Sequence, residues 1–232
     1  MKPKVGFFDF ACCEGCQLQI ADLEEDIIGL VDLVEVVEFR EVYTGTAPRY
    51  DIAFIEGSIT RPSDEKRVKD IRARATLLVA LGACATTGGV NKLKNLRGDM
   101  AAVRKEVYGE QWNMPHFDTY PTKAVHEVVK VDLFIHGCPI NRSEFLKIVK
   151  ALALGTVPEI PDYPVCVECK MNGNECLYDK GMVCLGPISR AGCNAICQTN
   201  NSPCEGCRGT VSDPNKNAMH EVLAKNNMSV ES

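Results

Sequence analysis

Thirteen cysteines stand in 232 residues, and their spacing is the chain's strongest chemical signal. Cys12, Cys13 and Cys16 fall within five positions, Cys84 sits inside GACATTGG and Cys138 inside HGCP. Eight more follow as Cys166-x2-Cys169, Cys176, Cys184, Cys193-x3-Cys197 and Cys204-x2-Cys207. An odd count argues against complete disulfide pairing, and reducing compartments disfavour disulfides in any case. Metal binding is the broad class that remains. Closely spaced thiolates on irregular backbone suit [4Fe–4S] ligation, and twelve of the thirteen divide into three sets of four. The first set joins the C-x-x-C pair Cys13 and Cys16 to Cys84 and Cys138. Cys12 is then spare and reads as a small buried hydrophobe; the bite of the C-x-x-C pair is the reason for choosing Cys13. The last eight divide in chain order into Cys166, Cys169, Cys176, Cys184 and Cys193, Cys197, Cys204, Cys207. Structural zinc is the competing reading of those eight, because two C-x-x-C pairs also fit a four-cysteine zinc site. Zinc leaves the first set unexplained.

These residues need elements to position them. Short apolar runs at Lys4–Asp9, Glu35–Phe39, Asp51–Glu56, Thr76–Leu81 and Val131–His136 lack strict alternation. Strands buried on both faces of a parallel sheet read this way. Helical patterns separate them: Gly15–Leu30, Ser63–Ala75 with Ser63 as N-cap ahead of Asp64 and Glu65, and Asn141–Leu154 after the fifth strand. The order predicts an α/β fold, a flavodoxin-like doubly wound parallel sheet over residues 1–154. On that sheet Cys12, Cys13, Cys16, Cys84 and Cys138 all follow carboxyl ends of strands, the edge where open α/β sheets bind ligands. Gly82, Gly88, Gly89 and Gly137 would let backbone approach a bulky cluster there.

Residues 155–164 (GTVPEIPDYP) have the composition of a linker. Residues 165–209 form a small, irregular Cys-rich domain with no regular apolar period, expected to be held together by metal. Residues 210–232 are a polar tail with one short helix through Ala218, Met219, Val222 and Leu223.

The formal charge of −5 gives no footprint for nucleic acid. The longest apolar run, Thr76 to Ala85, is much shorter than the roughly 20 residues a membrane span needs. The N-terminus enters a strand at once, leaving no room for an export signal, so a cytoplasmic protein is expected. Glu14, between two ligands of the first set, reads either as an interface carboxylate that moves protons or tunes the cluster, or as a solvated one. Glu56 is expected to hydrogen-bond nearby backbone, and His136 to be a hydrogen-bonded core histidine. Lys66, Arg67, Lys69, Arg72 and Arg74 read as one solvated helix face. Trp112, His116 and Tyr120 fall in a loop-like stretch and carry no assignment.

The chain resembles the small subunits of [NiFe]-hydrogenases and the related 20 kDa quinone-reductase subunit of complex I. Four motifs carry the likeness: Cys13-Glu-Gly-Cys16, Glu56-Gly57-Ser58, Gly82-Ala83-Cys84 and Gly137-Cys138-Pro139. The C-terminal CLGPISRAGCNAICQTNNSPCEGCRG, which the complex I subunit lacks, moves the match to hydrogenases. All-cysteine ligation makes it similar to the cytoplasmic group 3 enzymes, of the sulfhydrogenase delta and methyl-viologen-reducing hydrogenase gamma types. The likeness runs from Lys4 to Gly209. It implies an oxidoreductase subunit without a catalytic residue of its own. The nickel–iron centre would lie on a large partner subunit, with further flavin or iron–sulfur redox subunits beyond. It also implies the order proximal (Cys13, Cys16, Cys84, Cys138), medial (Cys193, Cys197, Cys204, Cys207) and distal (Cys166, Cys169, Cys176, Cys184). Periplasmic members place a histidine where Cys166 stands and often a proline where Cys197 stands. The alternative is an iron–sulfur subunit of a complex-I-like oxidoreductase without hydrogen chemistry.

Overall fold

A computed structural model describes residues 2–110, 115–116 and 118–228; Trp112 lies outside them. The chain divides into two compact units, Met1–Val157 and Pro158–Ser232.

In the first unit, β1 (Lys4–Asp9), β2 (Glu35–Phe39), β3 (Tyr50–Glu56), β4 (Ala75–Leu81) and β5 (Leu133–Ile135) form one sheet in the order β2-β1-β3-β4-β5. Every pairing is parallel. This is the flavodoxin-like order, and it places the switch point beside β1. The helices are α1 (Gly15–Ala21), α2 (Asp26–Leu33), α3 (Pro62–Arg74), α4 (Gly82–Thr87), α5 (Met100–Tyr108) and α6 (Arg142–Ala153).

Neighbouring strand residues point to opposite faces, and both faces are covered. Phe7 stacks on Phe54 at 4.9 Å, and Phe145 of α6 meets Phe54 at 5.5 Å. Phe8, one residue on, lies in the opposite core with Tyr50, Ile55, Val68, Ile71 and Leu78. Continuous apolar strands follow from this two-sided burial.

Three local expectations change. The pattern over 15–30 breaks into α1 and α2, because Glu24 takes φ 53, a left-handed conformation that no helix continues through. Ser63 does not cap α3: Arg61 stands at the N-cap, and the Asp64 carboxylate accepts the backbone N–H groups of Thr60 and Arg61, each at 3.1 Å. The basic residues of α3 are not one solvated face. Arg67 donates to the Asp9 carbonyl at 2.6 Å, Arg72 pairs with Asp132 and donates to the Ala75 carbonyl at 2.6 Å, and Arg74 reaches the Tyr50 hydroxyl at 3.2 Å. They tie the helix to strand ends. The helix after β5 is as expected, with Asn141 accepting the Glu144 N–H at 3.0 Å as its cap.

The second unit holds α7 (Val165–Met171), α8 (Ile196–Thr199) and α9 (Lys216–Lys225). Its described residues make isolated β-bridges, such as Ser189 with Thr210, and no longer strand. Two small apolar clusters serve as its core. Leu177, Tyr178, Met219 and Leu223 surround Cys184, and Val165 and Ala195 surround Cys169.

Candidate metal centres

The first unit gathers five thiols at one sheet edge. β1 delivers the loop bearing Cys12 and Cys13, Cys16 sits in α1, Cys84 in α4 directly after β4, and Cys138 three residues after β5. The Gly137 carbonyl accepts the Ala83 N–H at 2.7 Å, joining the loops after β4 and β5. Glu56 closes the other side. Its buried carboxylate accepts the N–H of Cys16 at 3.0 Å and of Gln17 at 2.9 Å, as the sequence suggested. Asn91, 80 residues from Ala11, donates to the Ala11 carbonyl at 2.7 Å and to Ser58 Oγ at 3.0 Å. Nothing in the sequence around Asn91 signals that role.

Glycine is required where the chain meets sulfur. Gly82 has φ 80, and a Cβ there would stand 2.4 Å from Cys16 Sγ. A Cβ on Gly89 would lie 3.0 Å from Cys84 Sγ. Cys13 and Cys138 are exposed, Cys12 and Cys84 half-buried, and Cys16 is buried. Burial, then the charges of Cys138, Cys13 and Glu56, push the Cys84 thiol up to about 11. Burial, then Glu56, push Cys12 up to about 12 and Cys16 higher still, with Cys84 a smaller contributor to each. These thiols feel one another. Four of them together as thiolates repel, and iron cations offset that repulsion. The donor set therefore fits a cluster. Glu14 has φ 61, and hydrogen bonding with the Glu41 carboxyl raises its pKa. His136 stacks nearly parallel on Phe134, centroids 6.0 Å apart.

In the second unit Cys166 lies near Cys184, Cys169, Cys176 and Cys204, and Cys197 lies near Cys204, Cys193 and Cys184. Burial, followed by Cys184, Cys169 and Cys176, pushes Cys166 up to about 12. A Cβ on Gly186 would stand 3.2 Å from Cys166 Sγ and 3.5 Å from Cys184 Sγ. The Tyr178 hydroxyl donates to the Cys184 carbonyl. In the other group burial raises Cys197, followed by Cys204 and Cys193. Cys207, three residues after Cys204, is half-buried. Glu168 shapes the loop before α8: its carboxylate accepts the Gly192 N–H at 2.8 Å and the Ala195 N–H at 3.1 Å. Those bonds hold Asn194 and Ala195 at φ 57 and 49 beside Cys193. Glu168 and the buried Arg208 both act on the Cys193 thiol after burial, the first raising and the second lowering its pKa. Sequence reading passed over both, although Glu168 lies inside a C-x-x-C pair and Arg208 beside Cys207.

Among the described residues, no three His, Cys, Asp or Glu side chains close on a single metal-ion position. No helix is long and apolar enough to cross a membrane.

The family model described as NADH ubiquinone oxidoreductase, 20 Kd subunit, matches residues 13–152. Sulfhydrogenase 2 subunit delta of Pyrococcus furiosus is 36% identical, over 95% of this chain and 92% of its own length. The crystal structure of an NAD+-reducing [NiFe]-hydrogenase in the H2-reduced state matches with TM-score 0.63 and 25% identity, over 69% of this chain and 96% of that one. The Ni-Fe-Se hydrogenase of Desulfomicrobium baculatum shares the fold at TM-score 0.62 and 16% identity, over 93% and 96% of the two chains. With more than half of its length under that family model and a relative this similar end to end, the chain belongs to the NADH ubiquinone oxidoreductase 20 kDa subunit family, within its hydrogenase branch.

Proposed function

We propose that this chain is the electron-transferring small subunit of a [NiFe]-hydrogenase and holds three [4Fe–4S] clusters. The observation that carries the reading is the convergence of Cys13, Cys16, Cys84 and Cys138 from three separate strand ends onto one edge. Close relation to a sulfhydrogenase delta subunit supports it. The proximal cluster takes those four cysteines, the medial takes Cys193, Cys197, Cys204 and Cys207, and the distal takes Cys166, Cys169, Cys176 and Cys184. Bound clusters supply one-electron storage and transfer. The chain's own residues fix the thiols, exclude water around Cys16 and Cys184, and aim backbone N–H groups at sulfur. The large partner subunit holds the nickel–iron centre, further redox subunits accept the electrons, and the assembly is cytoplasmic.

A second reading has its own support, since the family model bears the name of a quinone-reductase subunit. In it, hydrogen chemistry is absent. Purifying the native assembly and measuring nickel in the co-purifying large subunit separates the two. Stoichiometric nickel with hydrogen-dependent dye reduction is the expected result; a nickel-free partner that reduces a quinone overturns it.

A further inference from the structure

Cys184 lies where the two C-terminal cysteine groups meet. Its Sγ accepts the backbone N–H of Cys204 at 3.2 Å and is approached by the side-chain amide of Gln198, Nε2 at 3.6 Å. Both donors come from the other group: Cys204 is one of its members, and Gln198 follows Cys197 directly on α8. Gln198 is only 6% exposed. A Cβ on Gly186 would stand 3.8 Å from Gln198 Nε2 and within 3.5 Å of the Cys166 and Cys184 sulfurs, so the amide faces the edge those two thiols share. The opposite amide orientation would set a carbonyl oxygen against sulfur, acceptor against acceptor, so Nε2 is the atom that faces Cys184. Gln198 Oε1 is buried without a hydrogen-bond partner. Burying an amide in this way is costly, and donation to a charged sulfur offsets the cost.

We propose that Gln198 sets the potential of the cluster held by Cys166, Cys169, Cys176 and Cys184, by donating an N–H···S hydrogen bond to Cys184. The inference rests on the three-cluster reading. Reduction adds one electron to that cluster and makes its sulfurs better acceptors, so a donor stabilises the reduced form more than the oxidised form. Removing the donor lowers the potential.

The test is a potentiometric titration of the intact assembly followed by electron paramagnetic resonance, with iron counted in each sample. A Cys166→Ala variant identifies which signal belongs to this cluster. Gln198→Leu removes the donor at similar volume. It is expected to lower the reduced-to-oxidised ratio of that signal at fixed potential by roughly tenfold, equal to about 59 mV for a one-electron couple. Gln198→Met also removes the N–H donor at similar volume and is expected to move it the same way. The other two signals stay in place. An unchanged potential in both variants with full iron overturns the proposal, as does an equal shift of all three signals, which marks a general structural effect. Should Gln198→Leu lose iron, the more flexible Gln198→Met carries the test. If no wild-type signal depends on Cys166, the cluster reading itself falls, and this inference with it.

Discussion

Thiol burial governs the chemistry at the scale of single residues. Cys84 is pushed up to about 11 by burial and by the neighbouring Cys138, Cys13 and Glu56, so without metal it stays a neutral thiol and iron must displace its proton. Cys84→Ala or Cys138→Ala should lose one cluster, about four irons per chain, and stop hydrogen-dependent dye reduction. Cys12→Ala should keep both the iron and the activity, and loss of the cluster there would make Cys12 the ligand in place of Cys13. Gly82→Ala tests the fit of backbone to sulfur. With φ 80 and a Cβ 2.4 Å from Cys16 Sγ, it should cost about 1–3 kcal/mol and lower the iron content, measured by denaturant midpoint and iron assay. The placement of Cys12, Cys13, Cys16, Cys84 and Cys138 after strand ends was legible beforehand because β1, β4 and β5 are recognisable in the sequence. Asn91, Glu168 and Gln198 were not. Each is a lone polar residue whose partner lies 14 to 80 residues away, and no local pattern announces such pairs.

At the scale of elements, two-sided burial explains which parts of the sheet could be read in advance. Strands filled with Val, Ile, Leu and Phe kept their positions to within two residues, whereas helix ends depended on single side chains. The break between α1 and α2 turns on Glu24, a residue type that gives no warning of a left-handed conformation. The helix α5 and the 3-10 segment Val90–Arg97 were not anticipated. Val90, Leu93 and Leu96 of that segment are exposed, so no buried apolar stripe marks it. Phe145 joins α6 to β1 and β3 through Phe7 and Phe54. Phe145→Ala should therefore cost about 3–5 kcal/mol by chemical denaturation. Glu65 of α3 provides an acid-sensitive tie. Hydrogen bonds from Lys123 and then Tyr120 hold its carboxyl at about 2, below the unfolded value of roughly 4.3. Its stabilisation is thus present above that unfolded value and fades as pH falls from about 4 toward 2. Glu65→Gln should flatten the loss of stability in that window, read from denaturant midpoints at several pH values. An unchanged acid limb would show that the pair contributes nothing measurable.

The two units of the whole molecule stand on different physical footings. Met1–Val157 encloses a sheet with apolar cores on both faces. Pro158–Ser232 has two small clusters in which cysteines themselves are core members. On the proposed three-cluster reading, metal supplies much of the second unit's folding free energy. Chelating iron under reducing conditions should remove amide protection across residues 165–209 while β1, β3 and β4 stay protected, as read by hydrogen exchange. Protection retained across both units after iron removal would contradict this. The apolar period of the sequence ends where the prolines of 155–164 begin, and the two units part between Val157 and Pro158. How each thiol is supported was not legible in advance, because irregular backbone carries no period. The central claim is that twelve cysteines hold three cubanes, and iron and acid-labile sulfide per chain test it most directly. Anaerobically purified protein should contain about twelve of each, without stoichiometric zinc. One or two zinc ions per chain with little sulfide, or a stoichiometric three-iron signal before any oxidation, would contradict it.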